Sequence, residues 1–252
     1  MKLHSSLHKS FNKKKALVAE NGEIKFNNKK TILNQNTKTK SSQKWLRRQI
    51  NDPFANAAKI EGYLARSAYK LIEIQHKYSI FDKNTKIVID LGCSPGSWSQ
   101  VILTNKFCKN VNVIGLDLLP MKFKHKNLFY IQGDFEDVNV KKKLISMLKN
   151  LSGVNSVKNA KVDCIVCDIA MNSVGDSSTD RLRSERILEN VLSFCKKHLN
   201  NNGNLVCKAI KGADAAIFNE IKNNFKLVYR FKPKSSRKNS SELFLIGKFK
   251  KE

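Results

Sequence analysis

The chain has 252 residues, with 47 Lys and Arg against 21 Asp and Glu, for a net charge of +26. That length accommodates one α/β domain with an extension, and the excess of positive charge points to a polyanion, nucleic acid or an anionic membrane surface. No run of about 18 apolar residues occurs, which excludes a transmembrane helix, and the N-terminus lacks the apolar stretch of a secretory signal.

Codon bias inflates Lys and Asn at exposed positions, but it does not place charge, and the charge here is uneven. Residues 1–50 carry thirteen Lys or Arg against two Glu, with almost no apolar periodicity. Residues 1–41 therefore read as a basic, disordered arm, and residues 42–252 as the folded domain. Within the domain, 42–80 reads as a helical segment facing the polyanion: a short helix from Lys44 to Gln49 broken at Asn51-Asp52-Pro53, then a helix over 54–78 interrupted near Gly62.

Strands and helices then alternate. The predicted strands are Ile87–Leu91, Val111–Leu116, Leu128–Gln132, Val162–Cys167, Gly203–Ala209, Lys226–Phe231 and Glu242–Lys248. The predicted helices are Ser97–Asn105, Val138–Leu151, Arg181–His198 and Ala213–Asn224. This pattern specifies a doubly wound, seven-stranded, mostly parallel sheet with helices on both faces. The last two strands are joined by a loop alone and should form an antiparallel hairpin at one edge. Gly203, after Leu199-Asn200-Asn201-Asn202, reads as a turn glycine. The six cysteines sit mostly inside apolar runs and read as buried thiols of a reducing compartment. Cys164-x-x-Cys167 lies in a strand, where residues three apart point to opposite faces, so it reads as core. The five histidines show no ligand spacing, and no metal is expected.

The chemistry concentrates at strand ends. Ile87-Val88-Ile89-Asp90-Leu91-Gly92-Cys93-Ser94-Pro95-Gly96-Ser97-Trp98 is a buried strand, a turn through two glycines and a helix start. Glycines there let backbone approach a ligand, and the carboxyl end of such a strand is where open α/β sheets bind nucleotides. The Gly-x-x-x-Gly spacing favours S-adenosylmethionine over a dinucleotide or a nucleoside triphosphate. Asp117 ends the second strand about 25 residues after Gly92, where a carboxylate can accept ribose hydroxyls. Asp134 ends the third strand and reads equally as a contact to the adenine amine or a helix N-cap. Asp168 ends the fourth strand. Lys208 interrupts the apolar fifth strand Leu205-Val206-Cys207-Lys208-Ala209, where it must have a partner; Asp168 is the expected one. Glu242 and Lys70, taken singly, read as solvated charges.

Together these motifs resemble the RrmJ/FtsJ family of RNA ribose 2′-O-methyltransferases, the ribosomal RNA large-subunit methyltransferase E group. The resemblance runs from about Ser42 to Phe249. It is carried by Lys44-Trp45-Leu46-Arg47-Arg48-Gln49, Arg66-Ser67-Ala68-Tyr69-Lys70-Leu71, Asp90-Leu91-Gly92 through Ser99-Gln100, Asp117-Leu118-Leu119-Pro120, Gln132-Gly133-Asp134-Phe135, Asp168-Ile169-Ala170, Lys208 and Lys232-Pro233-Lys234-Ser235-Ser236-Arg237. The resemblance implies a Rossmann-like class I fold and the cofactor S-adenosyl-L-methionine. It places a catalytic tetrad on Lys70, Asp168, Lys208 and Glu242, and cofactor contacts on Gly96, Trp98, Asp117, Asp134 and Asp168. Two positions depart from the family: Ser97 replaces the middle residue of Gly-Gly-Trp and would intrude near the methionine end of the cofactor, and Met171 replaces the proline of Ala-Pro-Asn.

The implied reaction is 2′-O-methylation of a uridine ribose in the A-loop of large-subunit (23S) ribosomal RNA, in the 50S subunit, by a monomeric, cytoplasmic protein without membrane or metal. A mitochondrial ribosomal or transfer-RNA enzyme, or a catalytically weak ribosome assembly factor, are the alternatives. Proximity supplies much of the rate of such a transfer. Lys208 would take or steer the hydroxyl proton, and Lys70 would orient the hydroxyl and stabilise charge on its oxygen.

Overall fold

The computed structural model describes residues 51–252 except 105–106, 171–175 and 238. The basic arm and the predicted Lys44–Gln49 helix lie outside the described residues, as do Met171 and Asn172. The predicted helix over 54–78 is two helices. The first, α1, spans Pro53–Glu61: Asp52 caps it by accepting the amide protons of Phe54 and Ala55, Pro53 stands at its first turn, and Gly62 ends it with φ +80°. The second, α2, spans Ala68–Tyr78 and buries Tyr69, Leu71, Ile72 and Ile74.

The remaining elements are β1 (Ile87–Leu91), α3 (Ser97–Thr104), β2 (Asn112–Asp117), β3 (Leu128–Gln132), α4 (Val138–Ser152), β4 (Val162–Cys167), α5 (Ser177–His198), β5 (Leu199–Ile210), α6 (Asp214–Asn224), β6 (Phe225–Phe231) and β7 (Glu242–Lys250). The seven strands form one sheet in the order β3-β2-β1-β4-β5-β7-β6. Pairings from β3 to β5 are parallel, and β7 runs antiparallel to both β5 and β6. The expected hairpin is present, with β6 as the edge and β7 between it and β5.

Alternation along β1 shows why the sheet has helices on both faces. Ile87, Ile89 and Leu91 pack into a core with residues of α4, α5 and α6, whereas Val88 packs into a second core with Ala68, Leu71 and Ile74 of α2 and Val101 and Ile102 of α3. A strand buried on both faces needs no polar side, which is the reason for the unbroken apolar runs. Burying each such side chain contributes roughly 1.5–3 kcal/mol.

One sequence reading is overturned. Gly203 does not sit in a turn before the strand: β5 begins at Leu199 and runs through it. Asn202 adopts φ +63°, and the pairing with β4 shifts register between Val162 and Cys164. The polar Asn run is a bulged strand entry, which apolar patterning does not report.

Candidate active site

The carboxyl ends of β1, β2 and β3 open into a cavity of about 370 Å³. Its walls include Gly92, Cys93 and Ser94 after β1, Asp117, Leu118 and Leu119 after β2, and Gly133 and Asp134 after β3. Ser67, Ser97, Trp98 and Asp168 also line it. Gly92 has φ +74°, and a Cβ there would come within 2.6 Å of the Ile169 backbone. Asp117 spends both carboxylate oxygens on backbone amides: Ser94 N–H donates to Oδ2 at 2.8 Å and Leu119 N–H to Oδ1 at 2.8 Å. It thereby fixes two cavity loops relative to each other and keeps lone pairs for a ligand. The exposed Leu118 and Leu119 are held over the cavity by hydrogen bonds to their carbonyls from Gln132 (3.1 Å) and the Tyr130 hydroxyl (2.6 Å).

The carboxyl ends of β4 and β5 and the start of β7 carry a different arrangement. Lys208 Nζ lies 2.9 Å from Asp168 Oδ1 and donates a hydrogen bond to the Asp168 carbonyl at 3.0 Å. The Oδ1 contact is an ion pair off the hydrogen-bond axis, so this buried oxygen receives no hydrogen bond from the protein. Lys70 Nζ lies 2.9 Å and 3.0 Å from the two oxygens of Glu242, and 3.8 Å from Asp168 Oδ2. Each of the four side chains is less than 20% exposed, Glu242 being highest at 19% and Lys70 lowest at 10%. Burial is the largest influence and acts to raise the Glu242 pKa, but the Lys70 ammonium, Ser236 and Lys208 together outweigh it and hold the carboxyl below its ordinary value. Lys70 and Glu242 are thus not the solvated charges that each resembles alone. A second cavity, lined by Lys208, Glu242, Ser184, Ser240 and Ser241, shares Ile169, Ala170 and Ile187 with the first. Asp168 lines the first cavity, Lys208 and Glu242 line the second, and Lys70 lies between the two carboxylates.

Known proteins resemble this chain in sequence and fold. The FtsJ-like methyltransferase family profile matches residues 63–250. The chain belongs to this family. It is 38% identical over 216 residues to the ribosomal RNA large subunit methyltransferase E of Rickettsia bellii, covering 83% of this chain and 89% of that one. It is 36% identical to the protein of the same name from Rickettsia felis, covering 85% and 91%. A crystal structure described as a ribosomal RNA methyltransferase from Plasmodium falciparum superposes with a TM-score of 0.62 at 32% identity, covering 75% of this chain and 98% of that one.

FtsJ-like methyltransferases use S-adenosylmethionine, and the first cavity fits it. Its volume is that of a small-molecule site, it offers a strand-end carboxylate for ribose hydroxyls at Asp117, and it carries an apolar lip at Leu118 and Leu119. Of the predicted cofactor residues, Asp117, Asp134, Trp98 and Asp168 all reach the cavity wall. Gly96 does not face it. With φ +116°, its Cα packs against the next segment, where a Cβ would lie 2.5 Å from Phe123 Cβ and 2.8 Å from Met121 Sδ. Trp98 is 2% exposed, its indole N–H donates to the Ser67 carbonyl at 2.8 Å, and its ring stacks obliquely on Phe244. It joins α2, α3 and β7 as well as lining the site. Asp134 accepts the Glu136 amide proton at 2.8 Å, while the N-cap of α4 is Asp137. Ser97 lines the cavity, its hydroxyl 2.7 Å from that of Ser67.

Three features escaped the sequence reading. Asp90 is fully buried under the site; Ser99 donates to one carboxylate oxygen at 2.7 Å, and the other has no hydrogen-bond partner. Burial, with the Asp168 charge adding to it against the Ser99 hydrogen bond, pushes its pKa up to about 7. Glu73 accepts the backbone amides of Lys234 and Ser235 at 2.6 and 2.8 Å. Arg66 links Asp52 to the Ser235 carbonyl. These bonds strap the basic Lys232–Arg237 loop to α1 and α2. Among the described residues no helix is long and apolar enough to cross a membrane, and no group of three or more His, Cys, Asp or Glu could hold a metal ion.

Proposed function

We propose that this methyltransferase modifies the 2′-hydroxyl of a uridine ribose in the A-loop of large-subunit ribosomal RNA, within the 50S particle, using Lys70, Asp168, Lys208 and Glu242. The observation that carries the reading is a chain of ion pairs, Lys208–Asp168 and Lys70–Glu242, that links Asp168 on the wall of the first cavity to Lys208 and Glu242 on the wall of the second. The first cavity suits a methyl donor; the second, of about 230 Å³, suits the acceptor nucleoside. The names of the rickettsial relatives support the RNA class, and the resemblance of Trp45-Leu46-Arg47-Arg48-Gln49 to bacterial and mitochondrial members more than to transfer-RNA ones supports a ribosomal substrate.

When bound, S-adenosylmethionine supplies a methyl group on a sulfonium that departs as a neutral thioether. The protein must place the ribose oxygen in line with that methyl and dispose of one proton. Asp117 holds the cofactor ribose, and Asp134 lies where the adenine edge is read. Lys208, aimed by Asp168, takes the hydroxyl proton only after releasing one of its own to solvent; as the ammonium it steers that proton toward solvent instead. Lys70, aimed by Glu242, orients the hydroxyl and stabilises negative charge growing on its oxygen. Burying four charges in two pairs is weak evidence for stability, because desolvation offsets the attraction; the arrangement makes more sense as a pre-organised site. One chain supplies all four groups, which supports action as a monomer, and the bacterial relatives support a cytoplasmic setting. Mapping 2′-O-methyl positions in ribosomal RNA from cells with and without the protein tests the assignment. A missing A-loop mark in the deletion strain is expected; an intact mark with a loss elsewhere would reassign the substrate.

A further inference from the structure

The connection between β2 and β3 reads Met121-Lys122-Phe123-Lys124-His125-Lys126-Asn127. It contains no helix or strand, and its burial alternates: Lys122, Lys124 and Lys126 are exposed, while Met121, Phe123, His125 and Asn127 are half-buried. All three lysines face solvent, Lys126 from a turn that the Leu128 amide closes by donating to the His125 carbonyl at 3.0 Å. The buried side is anchored. The amides of Lys122 and Phe123 both donate to the Pro95 carbonyl, at 3.1 and 3.3 Å. The Phe123 and His125 rings stack with an interplanar angle of 9°. The His125 Nδ1 accepts the Asn127 amide proton at 3.1 Å.

Some surface cations are ion-paired, and these three lysines are among the many that are not; their place beside the donor cavity is what sets them apart. Arg186 pairs with Glu136, Lys196 with Glu220 and Arg230 with Asp214. None of Lys122, Lys124 and Lys126 enters an ion pair among the described residues. Compositional bias toward lysine explains neither the alternation nor the anchoring. The anchor, Pro95, belongs to the same turn as Ser94 and Gly92 of the donor cavity, and the segment starts directly after Leu118 and Leu119 at its lip.

We propose that Lys122, Lys124 and Lys126 form a phosphate-tracking strip that holds a single-stranded stretch of the RNA substrate on the donor side of the site. Three neighbouring positive charges on a backbone-anchored loop, backed by stacked rings, fit a sugar–phosphate backbone; a lipid surface would call for an amphipathic helix, which the segment is not. Anchoring at Pro95 makes the strip rigid relative to the methyl donor. An RNA strand held there is therefore positioned and not merely attracted. The inference rests on the RNA-acting assignment but not on which nucleotide is modified.

The test uses the full-length protein and a short fluorescein-labelled single-stranded oligouridylate, with anisotropy titrations at several salt concentrations. Each single-strand phosphate neutralised contributes about 0.7 to the slope of log affinity against log salt, so K122Q/K124Q/K126Q should flatten that slope by about 2 and weaken binding roughly tenfold or more at low salt. A charge-matched control on α4, K142Q/K143Q/K149Q, should leave the slope close to that of wild type. Calorimetric binding of S-adenosylhomocysteine should be unchanged in both variants, showing that each is folded. An unchanged slope in the strip variant, or an equal drop in the two variants, overturns the proposal. Methylation of ribosomal RNA by the wild-type enzyme is measured separately, so the strip and the substrate assignment fail independently.

Discussion

The two halves of the sheet's carboxyl edge use their acids in opposite ways. At β2 and β3, Asp117 and Asp134 accept backbone amide protons and carry no ion pair among the described residues. At β4 and β7, Asp168 and Glu242 are held by lysines. The difference follows from what each half must do. A cofactor's hydroxyls and amine are neutral and need acceptors in fixed positions, which loops capped by carboxylates provide. A hydroxyl that loses a proton needs cations at fixed positions, and buried cations need counter-charges.

The largest effect should come from breaking the cationic half. Lys208→Ala removes the group nearest Asp168, and single-turnover methyl transfer should fall by roughly 10²- to 10⁴-fold. Cofactor and RNA dissociation constants should change little, since the lost interaction matters mainly in the transition state. Lys208→Arg should rescue poorly, because a guanidinium keeps its proton and has a different shape. Near-normal transfer by a folded Lys208→Ala protein, checked by circular dichroism, would reduce Lys208 to a structural charge.

Asp90 lies on β1, between the two halves, and feels both. Its pKa of about 7 in the fold, against 3.8 in an unconstrained chain, gives the sign of a pH effect. Between those two values the unfolded chain has lost the proton and the folded one keeps it. Asp90 therefore lowers stability progressively as pH rises from about 4 to about 7, and the loss is complete above that. The magnitude is on the order of 4 kcal/mol. Asp90→Asn should remove this slope, so that the mutant gains on wild type in urea midpoint as pH rises. Other carboxylates, such as Glu242 and Asp214, are shifted downward and act in the opposite sense at acid pH; the difference between the two proteins isolates Asp90. Parallel stability curves for both would mean that Asp90 is ionised in the fold.

Breaking the neutral half should be milder. Asp117→Ala deletes the acceptor for two backbone amides and a ligand contact, so S-adenosylhomocysteine affinity should drop by roughly 10- to 100-fold. RNA affinity should be nearly intact. Calorimetry on the mutant checks this, and unchanged cofactor affinity would move the ribose site elsewhere.

The order of strands and the acids at their ends were legible because a strand buried on both faces has a distinctive apolar run. Lys208 was legible for the same reason: a charge inside such a run requires a partner, and Asp168 was within reach. Lys70 and Glu242 were not legible from local pattern, since they lie 172 residues apart and each sits among residues that suit a surface. Family resemblance placed them together where periodicity did not. The packing of Gly96 was not legible either, since its neighbours Met121 and Phe123 come from another segment. Asp134 and Asp137 are three residues apart, and only their geometry decides which one caps α4.

The strap formed by Glu73 offers the smallest effect and the finest test of the comparison. It lies outside both halves, yet it fixes the loop that leads into β7 and hence Glu242. Its carboxylate accepts two amides from residues 161 and 162 positions away, a contact that no local pattern reveals. Glu73→Gln leaves one acceptor where two are needed. Because the residue is half-buried, the cost should be about 1 kcal/mol, which lowers Tm by a few degrees in a domain of this size. If the strap serves only stability, kcat and KM at a temperature well below Tm should match wild type. If it positions Glu242 and through it Lys70, kcat should fall several-fold while cofactor affinity holds, because the donor half is untouched. A fall in cofactor affinity equal to the fall in kcat would show that the two halves of the edge are not independent.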